Sequence, residues 1–243
     1  MQSLTKLLLV AALITGAGET YAKPTPVNKA FVLDEQDRHL SGFHAVSVSG
    51  SFDVYITQGG SESVKVEADN DVIDRIITEV KGGELKIYTK SSSGWNFNWG
   101  NKKRVVHVMV KDINSITLAG SGDVIFKDGL RANSLVLSLS GSGDISGSVD
   151  VKDLQSKIVG SGDITVSGRA QSSEVSVSGS GDFTGRNLVT ENTAVKVVGS
   201  GDARVNANQQ LSASITGSGD VHYTGAVKRV STTKTGSGGI SRE

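Results

Sequence analysis

The sequence predicts an all-β chain, most of it a right-handed parallel β-helix, on three observations. A GSGD tetrapeptide starts at residues 120, 141, 160, 179, 199 and 217, and a seventh copy at 236 reads GSGG, so the starts lie 21, 19, 19, 20, 18 and 19 residues apart. Self-similarity at such a period is the signature of stacked repeats. Apolar residues keep fixed places relative to the tetrapeptide. The composition, with 30 Gly, only 2 Pro and 5% aromatics, suits a narrow interior of small aliphatic side chains.

Immediately after the Asp position stand Val124, Ile145, Ile164, Phe183, Ala203, Val221 and Ile240, all apolar. Two residues before the first Gly stand Leu118, Leu139, Ile158, Val177, Val197, Ile215 and Lys234, of which only the last is polar. Alternation at period two on both sides of the tetrapeptide predicts short strands joined by a corner, with the apolar members on one side. Nineteen extended residues trace roughly 60 Å, enough for one coil of a flattened or triangular solenoid. Stacked coils lie about 4.8 Å apart, so each strand pairs in parallel with its copy in the next coil. Parallel crossovers are overwhelmingly right-handed. At the corner, Gly supplies positive φ, and Ser and Asp side chains can bond neighbouring amides. No Lys-Ser or Lys-Thr follows the glycines and no copy opens a helix, so the tetrapeptide is not a phosphate loop.

In chain order, residues 1–22 combine Lys6, an apolar run from Leu7 to Ile14 and small residues approaching Ala22. They read as a cleaved secretory signal rather than a permanent membrane span, whose apolar core would be longer. Residues 23–42 contain both prolines and no sustained periodicity, and read as an extended, exposed lead-in. Residues 43–118 form a less regular, degenerate-coil part. There "VSVSGSFDVYI" places Val46, Val48, Gly50, Asp53 and Val54 in the columns of the repeat, and "VKVEADNDVI" offers a second degenerate coil through Val64, Val66, Ala68, Asp71 and Val72. "DRIITEV" reads as a short helix or a turn, "GGELKIYT" and "RVVHVMV" as strands. Residues 119–243 are the GSGD-repeat β-helix, with an atypical last coil marked by Lys234 and Gly239.

The opening Phe43, "SGSFDV" at Ser49 to Val54, "TQG" at Thr57 to Gly59, "VKVEAD", "GGELKI" and the GSGD series together resemble the bacterial family described as putative auto-transporter adhesin, head GIN domain. The resemblance covers roughly residues 43–238. It implies an exported β-helical protein of the envelope of bacteria with two membranes, in the periplasm or at the cell surface, and it carries over no catalytic residue.

Two places could carry chemistry. Asp123, Asp144, Asp163, Asp182, Asp202 and Asp220 form a ladder of like charges, in which a pair at about 4.8 Å costs about 0.9 kcal/mol in water. Turn chemistry accounts for the ladder; cation binding is the alternative, with calcium the ion that oxygen ligands favour. Calcium-binding nonapeptide repeats, however, recur at about half this period. Trp95, Phe97 and Trp99 alternate with Asn96 and Asn98 and would share one face of an extended segment. They would either cover the end of the solenoid or form a tip that stacks on sugar rings or a protein partner.

Lys plus Arg equals Asp plus Glu at 25 each, so no field draws the chain to nucleic acid. Zero cysteines exclude disulfides and thiolate metal sites. A polysaccharide lyase or hydrolase needs carboxylates assembled at one place, whereas the aspartates recur in every coil. His39, His44, His107 and His222 show no metal-ligand spacing. The expectation is therefore a non-enzymatic, cofactor-free envelope solenoid that presents a repetitive surface to a glycan or a protein. The runners-up are a polysaccharide-processing enzyme and a calcium-stabilised structural repeat.

Overall fold

The computed structural model describes residues 33–90 and 103–243; the expected secretory signal and Trp95, Phe97 and Trp99 lie outside the described residues. In chain order the strands are β1 (Leu33–Arg38), β2 (Ala45–Gly50), β3 (Asp53–Gln58), β4 (Ser63–Asp69), β5 (Ile76–Lys81), β6 (Glu84–Thr89), β7 (Arg104–Val110) and β8 (Ser115–Gly120). The repeat follows as β9 (Asp123–Gly141), β10 (Asp144–Gly160), β11 (Ile164–Gly179), β12 (Phe183–Gly199) and β13 (Ala203–Gly217), and the end as β14 (Val221–Thr224), β15 (Arg229–Gly236) and β16 (Ile240–Arg242).

β9 and β10 run from the Asp of one corner, and β11 to β13 from the residue after it, to the first Gly of the next, so the corner is the only break in each of these coils. The sequence led us to expect two short strands per coil. The ladders instead continue through the far bends as register shifts, for example between Gly147 and Val149 and between Thr165 and Gly168. Successive coils pair in parallel and put Gly50, Gly120, Gly141, Gly160, Gly179, Gly199, Gly217 and Gly236 in one column. The same register aligns Val124, Ile145, Ile164, Phe183, Ala203 and Val221, all fully buried. Fully burying one Val, Leu, Ile or Phe contributes roughly 1.5–3 kcal/mol, so these columns hold coil to coil. Ser156 and Ser173 interrupt the buried columns with hydroxyls that have no hydrogen-bond partner.

Residues 43–118 are laid down out of spatial order. β2 and β3 stack on β8 and β9 as the expected first degenerate coil, with Gly50 on Gly120 and Asp53 on Asp123. Their other edges are covered by β6 and β7, which come later in the chain. The second expected coil is not one. β4 runs antiparallel to β7 on one side and to β1 on the other. Only residues 59–62 link β3 to β4, and a parallel crossover needs a dozen or more residues, so the chain can only turn back. β1 thus gives the lead-in an ordered but exposed edge strand. "DRIITEV" divides into a short 3₁₀ turn at Ile73–Arg75 and β5, which returns antiparallel on β6 through Gly82 and Gly83, both at positive φ. At the other end β15 pairs with β13 alone and is exposed along its length, including Lys234, which sits over Ile215 in the aliphatic column.

Candidate functional site

The corners stack at backbone contact. Gly179 has φ +128, and a Cβ there would lie 2.2 Å from the carbonyl oxygen of Gly160 in the preceding coil. That same oxygen accepts the amides of Ser180 (2.9 Å) and Gly181 (3.1 Å). The pattern recurs from coil to coil, which is why both Gly positions exclude a side chain while the Ser between them is exposed.

The Asp column has a different task. Oδ1 of Asp144 accepts the backbone amide of Asp163 (3.1 Å), and the chain of contacts continues from Asp163 to Asp182 (2.8 Å), Asp182 to Asp202 (2.7 Å), Asp202 to Asp220 (2.9 Å) and Asp220 to Gly239 (2.6 Å). Asp123 begins the series with the amide of Asp144 at 3.3 Å. From Asp144 onward each carboxylate stands in for a backbone carbonyl at the corner, whereas the Asp144 amide itself also reaches the Gly122 carbonyl at 3.2 Å. A hydrogen bond to a charged group contributes about 1.5–3 kcal/mol, which exceeds the like-charge cost of about 0.9 kcal/mol for neighbours in water. Burial pushes the Asp123 carboxyl above its ordinary range, the Asp144 amide opposes this, and the carboxylates of Asp144 and Asp53 add to it. Among the described residues no three His, Asp or Glu side chains gather as a metal ion would need.

Two further features were not legible as motifs. Gln58, the middle residue of "TQG", donates from Nε2 to the carbonyls of Lys111 (2.9 Å) and Arg131 (3.1 Å) and accepts the Arg131 amide at Oε1 (2.7 Å). It completes the ladder where the pairing of β3 with β9 ends at Tyr55. Asp150 lies between Arg131 and Arg169 in register and is bound by Arg169 through two contacts of 2.7 and 2.5 Å, which hold its carboxyl below the usual range. Arg186 and Arg204 pair elsewhere, with Glu243 and Asp202, so the arginines make no common site.

Three concave surfaces stand out among the described residues. A groove of about 480 Å³ crosses the coils from β9 to β13 along their far bends. One wall is the in-register series Asp153, Ser172, Asn192 and Gln210, and the other includes Gln155 and Glu174. The walls are outward positions two residues apart on each strand, so they stand about 6.6 Å apart over an inward column. A second hollow of about 560 Å³ lies around Gln58, Lys111, Asp128 and Asp150. A third of about 400 Å³ lies over β7 and its neighbours, where Tyr55 and His107 stack with ring centres 5.4 Å apart and planes at 19°.

The family model described as putative auto-transporter adhesin, head GIN domain, matches residues 42–226. The chain belongs to this family. The match takes in every complete GSGD corner and stops before Gly236. Among solved structures, a putative adhesin from Bacteroides fragilis is 24% identical with a TM-score of 0.82, covering 87% of this chain and 97% of that one. A putative lipid binding protein from Parabacteroides distasonis is 25% identical with a TM-score of 0.71, covering 87% and 96%. A putative adhesin from Parabacteroides merdae is 19% identical with a TM-score of 0.69 over 87% and 96%. No curated protein matches the sequence.

The six aspartates fall in one column, as the sequence predicts, and they act as acceptors for stacking. The groove was missed because its first wall lies nine residues beyond the corner Asp at Asp153 and Ser172 but ten beyond it at Asn192. A column that drifts with coil length escapes alignment on GSGD.

Proposed function

We propose that this head GIN domain protein is a non-enzymatic, exported solenoid of the cell envelope that presents its repetitive surface for adhesion or scaffolding. The observation that carries the reading is the engagement of the Asp column: each periodic carboxylate holds the amide of the next coil. The recurring chemistry therefore serves stacking, and what differs from coil to coil is the exposed surface. The family's description and the putative adhesins of the same fold support the reading. A hydrolytic reading would use Asp153 and Glu174, the two carboxylates that line the same groove. A lipid-binding reading, as the Parabacteroides distasonis protein's description would have it, has the buried aliphatic columns against it.

The test is binding of the purified protein to envelope fractions, alongside protease access on intact cells and incubation with uronate-containing glycans. Saturable binding without cleavage supports adhesion. Reproducible cleavage lost on changing one Asp, with the fold intact, would replace it with an enzyme. If Trp95 and Trp99 make a recognition tip, changing both weakens envelope binding of the folded protein. A rise in melting temperature with calcium over chelator would support cation binding at the Asp column.

A further inference from the structure

We infer that the groove across β9 to β13 binds an extended, uncharged glycan running along the solenoid axis; this rests on the adhesive reading and gives it a site and a ligand class. Three observations carry it. First, the groove is a track: Asp153, Ser172, Asn192 and Gln210 follow one another in register, one per coil, at about the 4.8 Å spacing of stacked strands. A stretched chain of linked sugar rings advances by a comparable distance per ring, so successive rings meet successive coils.

Second, its polar groups are available. The side chains of Gln155, Glu174, Asn192 and Gln210 are exposed and make no hydrogen bond or ion pair with the described residues, whereas Asp153 already accepts the hydroxyl of Ser172. Three carboxamides and a carboxylate, each with two polar atoms on one planar group, suit paired hydroxyls of a sugar ring. Third, the charge and the backbone choose among chains. Among the described lining residues the ionisable groups are Asp153 and Glu174, so a polyuronate meets like charge. Lys157 and Lys196 stand one outward position further along their strands, beyond the second wall. An extended peptide usually gains affinity from main-chain bonds to a free sheet edge. Here the groove lies on the face of a sheet whose backbone groups bond from coil to coil.

The experiment titrates the whole secreted chain with cellohexaose, with a hexamer of β-1,4-linked N-acetylglucosamine, with polygalacturonate and with oligolysine. Calorimetry and the side-chain amide resonances of Gln155, Asn192 and Gln210 are followed. The expected result is binding of at least one neutral hexamer, with those resonances shifting. In the Q155A/E174A/N192A/Q210A variant, whose four side chains are exposed, the affinity should fall at least ten-fold while the melting temperature stays unchanged. Preference for polygalacturonate or oligolysine, or equal binding by the variant, would overturn the groove assignment. If neither hexamer binds while envelope fractions still do, the groove assignment falls and the adhesive reading stands. If the hexamer is bound and cleaved, and Glu174→Gln abolishes cleavage, the groove assignment stands and the non-enzymatic reading falls.

Discussion

Replacing Gly179 by Ala tests the corner most sharply, because the geometry fixes what must give way. The new Cβ would lie 2.2 Å from the Gly160 carbonyl oxygen, 3.1 Å from its carbon and 3.2 Å from the Gly160 nitrogen, all backbone atoms of a coil clamped on its other side by Gly141. Relief requires the two corners to separate by about 1 Å before ordinary contact returns. The same oxygen accepts the Ser180 and Gly181 amides at 2.9 and 3.1 Å, so separation weakens two hydrogen bonds of about 1 kcal/mol each. Holding a non-Gly residue at φ +128 adds about 1–3 kcal/mol. The expected loss is about 3–5 kcal/mol, read by urea denaturation followed by far-ultraviolet circular dichroism. Gly60→Ala is the control, since a Cβ there meets nothing within 4 Å and φ is not positive. A Gly179→Ala protein within about 1 kcal/mol of wild type would refute the claim that corners stack at backbone contact.

At Asp182 the acceptor matters and the charge does not. Asp182→Asn can keep the 2.7 Å bond to the Asp202 amide and removes two like-charge neighbours, whereas Asp182→Ala loses the acceptor. Thermal melts should rank Asn at or above wild type and Ala about 1 kcal/mol below it; the reverse order would contradict the acceptor role. Asp123 supplies a pH test. Its folded carboxyl lies above the ordinary value, so ionisation disfavours the fold at neutral pH, and the penalty fades as pH falls through the raised pKa toward the unfolded one. Asp123→Asn should therefore stabilise at pH 7 and lose its advantage below the carboxylate range, as parallel melts at both pH values would show. Lys234 occupies an inward column place on the exposed last coil, where a charge discourages edge-to-edge pairing. Lys234→Ile should raise the mass measured by light scattering in a concentration-dependent way, while a mass that stays constant would remove that role.

The repeat region was legible because each coil repeats the same physical problem. Gly120 and its counterparts, the aliphatic positions on either side and the Asp all recur in step, and period two assigned their directions correctly. "SGSFDV" was legible for the same reason, and Gly50 indeed stacks on Gly120. "VKVEAD" misled because alternation fixes a strand's faces and says nothing of its direction, which the four-residue link after β3 decides. The out-of-order insertion of β6 and β7 leaves no local trace either, since both read as ordinary strands. As for the candidate site, the Asp column was found, but its partner, an amide in the next coil, appears only in the stacked structure. Gln155, Asn192 and Gln210 belong to a column whose distance from GSGD changes with coil length.

Replacing all six column aspartates by asparagine is the most direct test of the central claim, that the GSGD series builds the solenoid while recognition lies on the surface between corners. The result expected is a folded protein with a melting temperature at or above that of wild type and undiminished binding to envelope fractions. A variant that folds as well as wild type but no longer binds would place the function in the Asp column and contradict the account.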